Sequence, residues 1–311
     1  MMNKKVFRFH LFSALFFVAL GTHAISHHDT KALIEELTKR INSGESTAEN
    51  YYKRAIEYRV LGQLKEAVND LKLALHRNAN FTLARREITR ILSKQGLHKL
   101  AILSAEKVIT SAITQREKSS AMILLARMLL NAGEPSEAIK YSSTAFKLNP
   151  NGKLEWYLLH ARLLGELKRD NERPEILRIG YQLTGSIVLR NAWIDSLLEC
   201  KKYEIALPII EKELTSSRLK SSWELRRAKA YIGTGKINAA MNDLRMCLKE
   251  LDQRIHPIKP DMTLIADRGM ANALLGNIDA AKNDLTHLIH IGADKWVTIH
   301  LDKAISLIEN Q

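Results

Sequence analysis

The sequence predicts an all-α fold, an α-α superhelical solenoid of about seven helix hairpins with a capping helix at each end. Three observations carry that expectation. The stretch LGQLKEAVNDLKLAL (61–75) returns as TGKINAAMNDLRMCL (234–248) and as LGNIDAAKNDLTHLI (275–289). Alanine recurs at a fixed interval, since Ala67 to Ala101 and Ala206 to Ala240 both span 34 residues. Only 14 Gly and 6 Pro interrupt 311 residues, so turns are few and short. A hydrophobic fraction of 46% supplies a sizeable core and excludes a disordered chain.

The elements follow in order along the chain. Residues 1–24 read as a cleaved signal peptide: Lys4, Lys5 and Arg8 precede the apolar run LFSALFFVAL (11–20), and Thr22 and Ala24 are small residues at the cut. The run is too short to span a bilayer, which needs about 20 residues. No Cys lies near the cut, which argues against lipoprotein processing. The expected location is therefore periplasmic or extracellular, with no membrane span after cleavage. Residues 25–47 form an N-terminal cap whose helix covers DTKALIEELTKRINSG (29–44). Hairpins are expected at 48–81, 82–115, 119–152, 154–186, 187–220, 221–254 and 262–295, and a C-terminal cap at 296–311. The fourth hairpin is degenerate, because KRDNERPEILRIG (168–180) has neither a turn glycine nor the alanine pattern. Pro208 falls several residues into the second helix of the fifth, where a kink is expected. IHPIKPDM (255–262) reads as an inserted linker, and the intervals Ala101–Ala138 (37) and Ala240–Ala281 (41) mark two insertions.

Packing explains the recurrent residues. Two antiparallel helices approach closely only where one offers a small residue to the other. Such residues recur late in each first helix (Ala55, Ala126, Ala161, Ala228, Gly269), with Tyr58, Leu129, Leu164 and Tyr231 three positions later. Gly62, Gly96, Gly133, Gly235 and Gly276 mark the turns, and Ala67, Ala101, Ala138, Ala206, Ala240 and Ala281 open the second helices. Pro150 closes the FKLNPN segment (146–151). In period and in these positions the chain resembles the tetratricopeptide (TPR) repeat family, over most of its length. With the leader, the resemblance implies an exported TPR scaffold, and the family's first helices line a concave, ligand-binding groove.

In that register, position nine of successive repeats reads Ile56, Arg90, Arg127, Arg162, Asp195, Lys229 and Met270. Arg86 lies four residues before Arg90, on the same helical face, and Arg226 neighbours Lys229. Together with a formal charge of +13, this predicts a basic groove of Arg86, Arg90, Arg127, Arg162, Arg226 and Lys229. Such a groove would hold an acidic or extended protein partner through two-point guanidinium contacts. The alternative within the same residues is a solvated basic surface that binds polyanions or the cell envelope without selectivity. Stacking aromatics are not interleaved with the basic positions, which argues against specific nucleic-acid binding. Some TPR co-chaperones clamp a carboxylate with Lys and Asn, but Tyr52 and Ile56 occupy the matching positions here.

Other chemistry is sparse. Cleavage after Ala24 would leave Ile25-Ser26-His27, whose amine, amides and His27 imidazole form a square-planar nitrogen set suited to Cu(II) or Ni(II). That is the one cofactor the sequence suggests, and it makes a metal-handling accessory protein a third reading. His287, His290 and His300 lack a completing ligand and read as surface and packing residues. Trp156, Trp193, Trp223 and Trp296 read as core between repeats. Cys200 and Cys247 are expected as two unpaired thiols. No phosphate loop, nucleophile elbow or HExxH is present, so no enzyme activity is expected.

Overall fold

The structure is a computed structural model that describes residues 18–309, with side chains from residue 29 onward. Residues 1–17 of the expected leader, and the side chain of His27, lie outside the described residues. Regular structure among the described residues is entirely helical, with sixteen α-helices and one 3-10 turn. None of these helices is long and apolar enough to cross a membrane. The chain forms two compact units that divide between Leu167 and Lys168, inside the stretch expected as the fourth hairpin.

The first unit holds α1 (Val18–Asn42), α2 (Ala48–Val60), α3 (Leu64–Arg77), α4 (Thr82–Lys94), α5 (His98–Thr110), α6 (Gln115–Asn131), α7 (Pro135–Leu148) and α8 (Leu154–Glu166). The pairs α2–α3, α4–α5 and α6–α7 are hairpins, and α8 packs on α7 and α6. After the 3-10 turn (Asp170–Glu172), the second unit holds α9 (Arg173–Thr184), α10 (Ile187–Glu199), α11 (Tyr203–Ser216), α12 (Ser221–Gly233), α13 (Ile237–Arg254), α14 (Met262–Leu275), α15 (Ile278–His290) and α16 (Lys295–Glu309). There α9 packs on α10, α12 pairs with α13, α14 pairs with α15, and α16 covers α14 and α15.

The repeated alanines lie where helices touch. Ala67, Ala101, Ala138, Ala206, Ala240 and Ala281 are fully buried, and Ala55, Ala126, Ala161 and Ala228 are buried on the first helices. Gly269 goes further, since a Cβ there would stand 2.6 Å from Leu301 Cδ2 on α16. The turn glycines adopt φ between +73° and +84°, a left-handed conformation that a side chain resists. Between α10 and α11 the same point of the turn is Lys201, at φ +57°. Its amide bonds Leu198 O (3.0 Å), as Gly62 bonds Arg59 O (3.1 Å), so the turn is kept without its glycine. The longer intervals have a local cause. The interval of 37 accompanies a 17-residue α6, started by a capping box of Thr114 and Glu117. The interval of 41 accompanies an 18-residue α13 and the loop before Asp261, the N-cap of α14. Pro208 lies inside α11, whose helix runs on through it to Ser216.

The Asn-Asp-Leu repeat also has a physical cause. Asp70 takes two hydrogen bonds from Arg54 (2.7 and 2.8 Å), sixteen residues earlier on the first helix of its hairpin. Asp243 takes two from Arg227 (both 2.7 Å), and Asp284 two from Arg268 (3.1 and 2.6 Å), again sixteen residues apart. The three carboxylates are buried, so each pair latches the two helices of its hairpin from inside. Leu71 and Leu244, the next residues, are fully buried against the same interface.

Trp156 and Trp223 are buried and Trp193 stacks on Tyr181, as core aromatics should. Trp296 departs from that expectation: it is 66% exposed, at the start of α16. Both cysteines are free, with Cys247 buried and Cys200 half-buried.

Candidate functional site

Two clusters of charge, one in each unit, stand out from the helical framework. The first lies on the first helices of the N-terminal unit. Arg90, Arg127 and Arg162 each sit four residues before the last residue of α4, α6 and α8, so the three helices present them in register. These helices are neighbours, and α4 and α6 are bridged by Arg86 to Ser120 Oγ (3.2 Å) and by Asn131 to Ser93 Oγ (2.9 Å).

The partners of these arginines differ. Arg90 shares the buried Glu87 carboxylate with Arg59 (2.9 and 2.8 Å), so two guanidiniums meet one acid. Among the described residues Arg162 pairs only with Glu166, one turn on, at 3.8 Å. Arg127 is exposed and forms no ion pair among the described residues. Burial lowers the Arg86 guanidinium below its ordinary range, and nearby Arg90 lowers it further. Positive charge therefore exceeds negative along this row. Tyr52 and Ile56 lie beside it, around a cavity of about 460 Å³ that Glu87 and Arg90 also line.

The second cluster lies within the C-terminal unit, around a cavity of about 540 Å³ bounded by α10, α11, α12, α14 and α16. The sequence groups Arg226 and Lys229 with the arginines as one positive surface. In the structure acids share the cavity with both residues. Arg226 gives two hydrogen bonds to Asp195 on α10 (2.7 and 2.9 Å) and lies over the Trp223 ring. Burial alone would lower the Arg226 guanidinium, but the charge and hydrogen bonds of Asp195 outweigh it and hold it high. Lys229 lines the same cavity as Asp195 and Asp267, with Asp267 on α14. Burial lowers the Lys229 ammonium against the pull of both carboxylates, and burial raises the Asp267 carboxyl against Arg226 and Lys229. The rest of the wall is mixed, with apolar Leu198, Leu225 and Met270, polar Glu199 and Thr263, and Trp296 and His300 on α16. Asp195 was visible at position nine of its repeat, but without the stacking register it read as a gap in a basic row. Asp267 and Trp296 had no such signal.

The three C-terminal histidines do not converge. His300 faces this cavity, while His287 lines a different one beside Pro257 and Pro260. Among the described residues no cluster of three metal-ligating side chains exists.

Solved structures with the same architecture place the fold. A tetratricopeptide repeat protein from Parabacteroides merdae matches with a TM-score of 0.58 at 18% identity, covering 85% of this chain and 100% of that one. A chain of the APC/C hetero-tetramer Cut9–Hcn1 matches with a TM-score of 0.50 at 14% identity, covering 80% of this chain and 46% of that one. No family model and no curated protein matches the sequence. The fold is that of the tetratricopeptide repeat, an all-α helical repeat solenoid.

Proposed function

We propose that the chain is an exported, non-catalytic scaffold that holds an acidic or extended protein segment along Arg86, Arg90, Arg127 and Arg162. The observation that carries this reading is the in-register row on α4, α6 and α8, with Arg127 exposed and outside any ion pair among the described residues. Guanidiniums repeated at equivalent points of stacked helices match acidic side chains spaced along an extended chain, each able to take two hydrogen bonds. The excess of positive charge speeds encounter and makes the affinity fall with salt. A basic, apolar leader at residues 1–24 supports export to a periplasm or beyond the cell. The helical repeat framework offers extended binding faces, which supports a scaffold.

The test is retention from envelope extract by the mature protein beside an Arg90→Glu, Arg127→Glu, Arg162→Glu variant. A discrete protein held by the first and lost from the second supports the scaffold. Equal retention by both removes the row from the account. A diffuse mixture released by modest salt would instead indicate polyanion binding without selectivity.

A further inference from the structure

The cavity of the C-terminal unit is unlike the arginine row in its charge. Two cations, Arg226 and Lys229, face two carboxylates, Asp195 and Asp267, with Glu199 and His300 at its edge. Arg226 and Asp195 satisfy each other through two hydrogen bonds. Lys229 and Asp267 do not: they attract each other across the space, but no hydrogen bond or ion pair joins them among the described residues. Both side chains are half-buried on the cavity wall, so two unpaired charges of opposite sign face one opening.

This pattern selects among ligands. An anion alone would satisfy Lys229 but meet Asp195, Asp267 and Glu199. A cation alone would satisfy Asp267 but meet Arg226 and Lys229. A ligand of no net charge with separated ends satisfies both. The apolar side chains of Leu198, Leu225 and Met270, with Trp296 largely exposed at the rim, suit an aliphatic body between or beside those ends.

We propose that this cavity binds a small aliphatic zwitterion, a free amino acid or short peptide, with its carboxylate on Lys229 and its ammonium on Asp267. The volume of about 540 Å³ accommodates either. The site is independent of the arginine row: its residues lie on α10, α11, α12, α14 and α16, all in the C-terminal unit.

Calorimetric titration of the full mature chain tests the proposal with four probes: leucine, leucyl-leucine, N-acetyl-leucyl-leucine and leucyl-leucine amide. Binding of leucine or leucyl-leucine, with the acetylated and amidated forms at least about tenfold weaker, supports it. Which of the two zwitterions binds more tightly distinguishes a free amino acid from a peptide. Equal binding of the blocked forms, or binding of no probe, overturns it. In the variants, Asp267→Asn should abolish the preference for a free ammonium and Lys229→Gln the preference for a free carboxylate. Far-UV circular dichroism checks that each variant is folded, and the wild-type series decides the matter if either is not. The Arg90→Glu, Arg127→Glu, Arg162→Glu variant should bind the zwitterion unchanged, which separates failure of this site from failure of the scaffold reading.

Discussion

Replacing Asp243 by alanine removes an acceptor that holds two helices together from within. Arg227 gives it two hydrogen bonds of 2.7 Å, and the carboxylate is 5% exposed against 27% for the guanidinium. Charged hydrogen bonds contribute roughly 1.5–3 kcal/mol each, and partial access of water to Arg227 recovers part of the loss. The expected cost is about 3 kcal/mol, within the range for breaking a buried pair. Exchanging both residues for apolar ones (Arg227→Met with Asp243→Leu) leaves no stranded charge and should return stability to within about 1 kcal/mol of wild type. The sister latches set a rank order. Asp70→Ala should cost most, because Arg54 is 13% exposed and would be left with Thr38 as its hydrogen-bond partner. Asp284→Ala should cost least, because Arg268 keeps Asp252 at 3.3 Å. Urea unfolding followed by far-UV circular dichroism reads each cost as a shift in midpoint. A reversed order, or losses all below about 0.5 kcal/mol, would refute the latch as a source of stability.

Three further outcomes follow from single residues. Burial raises the Glu224 carboxyl above its ordinary value of 4.5, with Glu250 and Asp243 adding to it against Arg227 and Lys220. The folded state therefore binds this proton more tightly than the unfolded chain, and the contribution of Glu224 to stability is full at acid pH and declines as pH rises through its folded value. Glu224→Gln should raise the melting temperature at neutral pH and lose that advantage below the carboxylate range; a constant difference across pH would contradict this. Lys201→Gly relieves a left-handed backbone at φ +57° and should stabilise by about 1 kcal/mol, read as a higher denaturation midpoint. Burial pushes the Cys247 thiol up to about 12, so a thiol-reactive disulfide should label Cys200 in the native protein and Cys247 only in denaturant.

The chain's local rules were readable because they recur. Six alanines and five glycines mark buried helix crossings and left-handed turns, and a period of 34 residues shows them together. The latches were half-visible: Asn-Asp-Leu repeats openly, but its partner arginine lies sixteen residues upstream in a stretch that otherwise varies. Lys201 hid a turn, because its left-handed conformation is imposed by the hairpin and not by the residue. The site was less legible than the fold. Arg127 could be read as an exposed cation from helical position alone. Arg226 could not be read as neutralised, because Asp195 is 31 residues away and meets it only through the stacking of α10 and α12. Trp296 carries the composition of a core residue, and only the placement of α16 leaves its ring in solvent.

In the proposed function Arg90, Arg127 and Arg162 act together on an acidic segment. Fluorescence anisotropy of a labelled oligoglutamate, titrated with the mature protein at rising salt, tests it most directly. The account requires saturable binding that weakens with salt and falls at least about tenfold in the Arg90→Glu, Arg127→Glu, Arg162→Glu variant. Binding of equal strength in that variant would contradict it.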